Sequence, residues 1–388
     1  MDFTLSGDQQ AIIEAVRKIV DGFDEAYWLE RDKTGEYPHE FHATMAEGGW
    51  LGIAMPEEFG GAGLGVTEAA LMMHEVANSP GAMAACSSIH LNIFGPHAMI
   101  VHGTDEQRAR WLPELIEGKA KACFGVTEPN VGLDTTNIKT RAEPAGNGYV
   151  VHGHKVWTSS AQVADKIVLL TRTTPREDCK KSTDGLTLFY TDLDRNAVDV
   201  REIEKMGRKA VDSNELFIDG LKIPGEDRIG EEGKGFQYIL HSLNPERVLV
   251  GAEAVGIGRQ ALARATQYAK DRVVFGRPIG QNQAIQHPLA DSWCELEAAW
   301  LAVLRAGDLY DSGAPCGPEC NMAKYYAAEV AFRACDRAVM THGGMGYAKE
   351  FHVERLLREV YVTRIAPVSR ELILSHIAER ALGLPRSY

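Results

Sequence analysis

Short β-rich runs occupy the middle of the chain between two long helical regions, and this arrangement limits the folds available to it. The runs are Tyr149–Val151, Ile167–Thr171, Leu186–Thr191 and Glu215–Ile218. Gly, Pro and Asp separate them, which predicts an antiparallel sheet or barrel rather than βαβ repeats. We therefore expect an α+β fold: an N-terminal helical domain (1–120), a middle antiparallel β domain (121–232) and a C-terminal four-helix bundle (233–388).

The flanking regions contain clear helix signals. Ser6 and Gln9 form a candidate capping box, and apolar residues follow it at helical spacing. The glycine-rich stretch from Met55 to Gly65 has helical flanks, so it predicts a connector rather than a nucleotide-binding loop. After residue 235 the predicted helices are 235–271, 281–311, 318–342 and 351–382. Their short connections favour an antiparallel bundle.

Charge and hydropathy exclude several classes of partner. The formal net charge is −13, from 41 Lys and Arg against 54 Asp and Glu, which argues against binding to nucleic acid or an anionic membrane. No apolar run reaches the length of a membrane span, and the first residues do not resemble a signal peptide. We expect a cytoplasmic protein without a membrane span.

Cysteine and histidine patterns do not predict a metal site. The seven cysteines are scattered, as expected of reduced thiols, and Cys316 and Cys320 lack the further ligands of a zinc site. The thirteen histidines, His90 among them, have neither HExxH nor triad spacing. We expect them to be hydrogen-bonded or exposed.

Five motifs, in order along the chain, resemble those of the acyl-CoA dehydrogenase flavoprotein family. They are Cys123–Pro129 with Gly132 and Asp134, Lys155–Ser159, Asn244–Arg247, Arg272–Ile279 with Gln283, and His342–Tyr347. Each is weak alone, but their order over nearly the whole chain argues against coincidence. The resemblance implies an FAD-dependent homotetramer that oxidises an acyl-CoA thioester to its 2,3-enoyl form and passes electrons to an electron-transfer flavoprotein.

The implied reaction requires a base for the α-proton while a hydride passes from the β-carbon to flavin N5. A carboxylate suits this role if burial raises its pKa towards the working pH. In most of the family, by resemblance, the base is a Glu just before the last helix, where this chain has Pro367. A branch that includes isovaleryl-CoA and long-chain acyl-CoA dehydrogenases has a Glu before an Arg on a bundle helix instead. The resemblance thus implies Glu246 as the base, supported by Arg247.

The same comparison implies substrate contacts at Asn244, Ala366 and Pro367. Ala366 replaces the Tyr of the common motif and leaves space for a carboxylate from the other side. In the family, a flavin ribityl hydroxyl and the backbone N–H at the position of Pro367 hold the thioester oxygen. Proline has no N–H. Either a neighbouring amide replaces this donor, or polarisation depends more on the flavin hydroxyl.

The resemblance also assigns cofactor-binding residues. Phe124, Val126, Thr127, Trp157 and Ser159 belong to the isoalloxazine environment, and Arg272, Phe275 and Gln283 to the pyrophosphate and adenine of a flavin in the adjacent subunit. Gly343 and Gly344 allow a phosphate to approach the backbone closely, and Ser369 offers a hydroxyl near the adenylate end. Leu133 and Met340 replace polar residues usual in the family, so FAD binding is expected to be weaker.

Alternatives remain open at this stage. Glu246 also suits the exposed first turn of a helix after Pro245, where the helix dipole favours a carboxylate. A flavin oxidase or monooxygenase of the same fold would use similar motifs. Pro367, Leu133 and Met340 are also compatible with a non-catalytic subunit of a hetero-oligomer. The sequence does not determine the length or branching of the acyl chain.

Overall fold

Three layers follow one another along the chain in the computed structural model, which describes residues 4–387. The helices of the first layer are α1 (Gly7–Val20), α2 (Glu25–Thr34), α3 (His39–Glu47), α4 (Val66–Ala77), α5 (Ala82–Phe94), α6 (His97–His102) and α7 (Asp105–Ile116). The predicted capping box at Ser6 and Gln9 is present at the start of α1. The glycine-rich stretch before α4 forms turns and a short 3₁₀ segment, as a connector should.

A single sheet forms the middle layer. Its strands are β1 (Ala122–Gly125), β2 (Arg141–Ala145), β3 (Gly148–Ser159), β4 (Lys166–Arg172), β5 (Leu186–Asp192), β6 (Val198–Glu202), β7 (Ser213–Pro224) and β8 (Arg228–Ile229). The strand order is β6-β7-β3-β2-β4-β5-β8, with β1 also paired to β4. The sheet is not wholly antiparallel as predicted, because β1 and β2 each pair with β4 in parallel. The chain between these strands is long enough for the crossover that parallel pairing requires.

The last layer is the helical bundle. It consists of α8 (Gly235–Asp271), α9 (Gln283–Asp311), α10 (Gly317–His342), α11 (Val353–Ile365) and α12 (Arg370–Arg380), with a small hairpin of β9 (Val273–Val274) and β10 (Arg277–Pro278) after α8. The predicted fourth helix over 351–382 is therefore two helices. Pro367 explains the break, because it lacks an N–H and forces the preceding Ala366 into an extended conformation.

The layers share their cores, and this sharing determines where a site can form. Apolar residues of α1, α4 and α5 pack with those of α8, α9 and α10 in one cluster. A second cluster joins α7 to β4 and β5. The three layers therefore meet around the N-terminal half of α8. Among residues 4–387, no helix is both long enough and apolar enough to cross a bilayer.

Candidate active site

Glu246 lies in the N-terminal half of α8, where this helix meets α5 and α10. Although the residue as a whole is only partly buried, the surrounding protein desolvates its carboxylate and raises its pKa to about 7. The positive charges of His90 and Arg247 oppose this shift, as does Lys324 from α10, whereas Glu253 adds to it. The net effect is a carboxyl group that exchanges a proton near neutral pH.

Arg247 is held by its own helix. Its Nη1 donates to Asn244 Oδ1 at 2.9 Å, and the Asn244 amide nitrogen is 3.9 Å from Cys316 Sγ. Burial lowers the pKa of Arg247, and Glu246 opposes this effect. The Arg247 Nε is buried without a hydrogen-bond partner. A buried donor without a partner reduces the stability of the folded chain.

Lys324 connects the Glu246 region to the loop between α11 and α12. Its side chain is only 1% exposed, and its Nζ donates to Val368 O at 2.7 Å. Burial lowers the pKa of Lys324 to about 8, and the charge of Glu246 opposes that shift. The loop contains exposed Ala366 and half-buried Pro367. The predicted base and the predicted substrate contacts in this loop therefore both lie near one lysine.

His90 and Glu253 form a further charged pair beside Glu246. His90 Nδ1 lies 2.7 Å from Glu253 Oε1, and Glu253 is 2% exposed. Burial lowers the pKa of His90, but Glu253 and Glu246 act more strongly together, so the net shift is upward. Sequence reasoning expected only that His90 would be hydrogen-bonded or exposed, and it did not single out Glu253. The seven-residue spacing from Glu246 would have placed Glu253 on the same helix face.

Five residues predicted to contact the flavin ring lie at or just beyond the ends of β1 and β3, and we call them the aromatic shelf: Phe124, Val126, Thr127, Trp157 and Ser159. The pairing of β3 with β7 shifts register between Lys155 and Thr158. Within this bulge Trp157 has a φ of 61° and is 58% exposed. The Val156 N–H donates to Thr127 O at 2.9 Å, which joins the two motifs.

The chemistry of the aromatic shelf fits a flavin ring. Trp157 presents an exposed aromatic surface, and the hydroxyls of Thr127 and Ser159 make no hydrogen bond with another described residue. Phe94 connects this surface to the charged groups, since its ring centroid is 5.5 Å from that of Phe124 and 5.4 Å from that of His90. One predicted ring-binding residue, Phe124, is thus connected through Phe94 to His90 in the Glu246 region.

The residues predicted to meet pyrophosphate and adenine lie elsewhere. Arg272, Phe275 and Gln283 surround the hairpin after α8 and are all exposed, Phe275 completely. Gly343 and Gly344 are also exposed, and a Cβ on either would meet no neighbouring atom. Arg272 follows Glu246 by 26 residues along α8, a distance of about 39 Å at 1.5 Å per residue. Arg272 and Glu246 therefore do not belong to one compact site in a single chain.

Ser369 and the cysteines complete the predicted set. The Ser369 hydroxyl accepts a hydrogen bond from Leu372 N at 3.3 Å and caps α12. The thiols of Cys316 and Cys320 are free and buried. Within residues 4–387 no cluster of three or more His, Cys, Asp or Glu side chains is arranged to hold a metal ion.

Together, a helical, β and helical layer sequence, an aromatic shelf and an internal carboxyl group define a three-domain flavoprotein oxidoreductase. Models of the acyl-CoA dehydrogenase N-terminal, middle and C-terminal domains match residues 6–119, 123–221 and 233–382. The chain belongs to the acyl-CoA dehydrogenase family. The predicted family, α+β fold, enzyme class and FAD cofactor are confirmed.

Individual relatives agree with this family over most of the chain. Acyl-CoA dehydrogenase FadE12 of Mycobacterium tuberculosis is 36% identical over 392 residues, covering 100% of this chain and 99% of the relative. The CarC subunit of the caffeyl-CoA reductase-Etf complex of Acetobacterium woodii is 36% identical over 87% of this chain and 88% of its own. The butyryl-CoA dehydrogenase structure from Megasphaera elsdenii superimposes with a TM-score of 0.93 at 30% identity, covering 99% of this chain and 100% of that one.

Proposed function

We propose that Glu246 is the base that removes the α-proton of an acyl-CoA thioester. The observation that supports this role is a desolvated carboxyl group with a pKa of about 7 where the three layers meet. General bases work best when their pKa lies near the working pH. An exposed first-turn carboxylate, the alternative structural role, would not be desolvated in this way.

The surrounding residues divide the remaining tasks. When bound, FAD supplies the hydride acceptor for the β-carbon. Trp157 and Phe124 belong to the aromatic shelf that would hold the flavin ring, and Phe94 packs between Phe124 and His90. Arg247, held by Asn244, places its positive charge near Glu246 and favours the ionised form of that carboxyl group. Glu246 then holds the abstracted proton on its carboxyl oxygen.

Pro367 lacks the N–H that would donate to the thioester oxygen. We propose its replacement from the hydrogen bonds of the loop between α11 and α12. The Ala366 N–H already donates to Val362 O at 2.9 Å. The N–H groups of Val368 and Ser369 donate to no other described group. Lys324 fixes this part of the loop through Val368 O. Val368 and Ser369 are therefore the proposed amide donors to the thioester oxygen.

The assembly and electron acceptor are also part of the proposal. The separation of Arg272 from Glu246 supports a flavin site built from two copies of the chain, as in the predicted homotetramer. The Etf complex of the relative CarC supports an electron-transfer flavoprotein as the redox partner. A cytoplasmic location remains part of the same proposal.

Reduction of a 2,3-enoyl-CoA is a second direction of the same chemistry, favoured by the reductase name of the CarC complex. A group that accepts the α-proton during oxidation donates it during reduction, by microscopic reversibility. A carboxyl pKa of about 7 suits both directions. The redox partner would then determine the net direction.

The test is anaerobic bleaching of the bound flavin by a panel of acyl-CoA thioesters. Glu246→Gln should slow bleaching by about 10²- to 10⁴-fold, the usual contribution of general-base catalysis. Glu14→Gln, an exposed carboxylate on α1, is the matched control and should bleach at the unmodified rate. Equal bleaching by Glu246→Gln would disprove its role as the base, and a protein that binds no added FAD would support the non-catalytic alternative. Oxygen consumption without another acceptor would indicate an oxidase.

A further inference from the structure

A buried carboxylate interrupts an otherwise apolar stretch of α8. Glu253 has buried Gly, Ala and Val residues on both sides in the sequence, and its own exposure is 2%. An isolated charge in such a position is unfavourable unless it is paired. His90 of α5 provides the pairing, at 2.7 Å from the carboxylate oxygen. The helix therefore retains this charge with a dedicated partner.

Glu246 is a second neighbour of the His90–Glu253 pair. Glu246 precedes Glu253 by seven residues, so both project from one face of α8 about two turns apart. His90 uses Nδ1 for Glu253, while its Nε2 bonds to no described residue and is not fully enclosed. The imidazole thus lies against the face of α8 that presents the proposed base.

We propose that His90 and Glu253 are positioning residues that control the charge of Glu246: Glu253 keeps the imidazole protonated, and the resulting cation favours the ionised base. This proposal rests on the proposed function, in which Glu246 must be ionised to accept a proton. Without the cation, the unpaired Glu253 would repel Glu246. The pair therefore offsets part of the desolvation that burial imposes on the base.

Other charged groups also face Glu246 and His90. Glu246 also faces Arg247 on its own helix and Lys324 on α10, and both favour its ionised form. His90 also faces Arg208, which precedes β7 and disfavours the imidazolium. The Arg208 Nη1 donates to Ser87 Oγ at 3.0 Å. These groups are unchanged in the variants below, so differences between the variants report on the pair.

The test is the pH dependence of flavin bleaching in the FAD-loaded enzyme, compared in His90→Gln and in the His90→Gln/Glu253→Gln double variant. In His90→Gln the acidic limb of the pH profile of the bleaching rate should move upward by about one pH unit. Bleaching should then be about fivefold slower at pH 7 and nearly normal at about pH 9. The double variant removes both the cation and the unpaired anion. Its limb should return to within about 0.3 units of the unmodified enzyme.

This rescue distinguishes an electrostatic role from a structural one, because two structural losses would add. His154→Gln is the control: His154 pairs with Glu215 at 3.0 Å on the sheet surface, and its variant should keep the original profile. An unchanged limb in His90→Gln, or a double variant worse than the single one, would overturn the proposal. If only His90→Gln fails to fold, the unpaired Glu253 charge is the cause, and this result supports the proposal. If the double variant also fails to fold, the proposal is overturned. Normal bleaching by Glu246→Gln would instead refute the proposed function.

Discussion

The two ends of α8 serve different purposes, and they differ in how complete a single chain makes them. Around Glu246, charged side chains from α5, α8 and α10 of one chain offset one another's charge, and His90 pairs directly with Glu253. Around Arg272 and Phe275, the side chains project from the chain into open space. In the proposed function, proton chemistry therefore requires only one chain, whereas binding of the whole dinucleotide requires a second copy.

The cost of desolvation explains why the two ends of α8 differ. Charges in the interior must meet their partners when the chain folds, because nothing else can compensate for desolvation. A fully exposed Phe275 has no such requirement, but an exposed aromatic side chain next to an arginine is typical of an interface. We therefore propose that the inner end of α8, around Glu246, is completed by folding and that the outer end, around Arg272, is completed by assembly.

Subunit complementation between two inactive variants tests this difference between the ends of α8 and has the largest expected effect. Glu246→Gln should bind FAD but fail to bleach, and Arg272→Ala should lose FAD affinity because a charge-assisted phosphate contact is removed. When both variants are co-expressed, random assembly should restore about a quarter of the unmodified bleaching rate per flavin site. Bleaching by purified hybrid oligomers is the measurement.

The restored sites contain Glu246 from one variant and Arg272 from the other. A mixture of the two purified variants that cannot exchange subunits is the control and should remain inactive. If hybrid oligomers also remain inactive while each variant folds, the two ends of α8 do not serve one flavin in trans. The proposed difference between the Glu246 end of α8, complete in one chain, and the Arg272 end, completed by a second copy, would then be wrong.

The aromatic shelf provides the next test, because it too is supported within one chain. Lys155 is fully buried, and its Nζ lies 3.0 Å from both Glu128 Oε1 and Val126 O. Lys155→Met leaves the Glu128 carboxylate buried without its cation. The free energy of unfolding should fall by about 3–5 kcal/mol, as expected for a broken buried ion pair. Urea unfolding of the FAD-free protein measures it.

A pair with an exposed carboxylate on the same sheet supplies the control for that variant. Lys166 pairs with Asp192 at 2.6 Å, and the aspartate side chain is 71% exposed. Lys166→Met should change the free energy of unfolding by less than about 1 kcal/mol, because water replaces the lost partner. Equal losses in the two variants would mean that the shelf is no better supported than the surface.

Much of the fold and part of the site were predictable from the sequence. The changes between helical and β texture predicted the three layers, since hydrophobic periodicity reports burial directly. The resemblance implied Glu246 as the base, and this role stays a prediction; burial raises the pKa of its carboxyl group to about 7. These features depend on residues close together in the sequence.

Features that depend on distant residues were not predictable. His90 and Glu253 are 163 residues apart, and only the packing of α5 against α8 joins them. The parallel pairing of β1 with β4 similarly depends on the path of the intervening hairpin. Pro367 lies inside the predicted fourth helix, where its ring and its missing N–H are sufficient to end α11.

The smallest expected effect is that of substitutions at Ser369, which caps α12 and is also a predicted cofactor contact. Its hydroxyl caps α12, so Ser369→Ala should lower the free energy of unfolding of the FAD-free protein by about 1 kcal/mol. Ser369→Asn retains a side-chain oxygen for the cap and should restore this stability. If the hydroxyl also contacts the adenylate end, FAD titration should show weaker binding by Ser369→Ala than its folding defect explains. Unchanged FAD affinity in both variants would limit Ser369 to capping and leave nucleotide recognition to the outer end of α8.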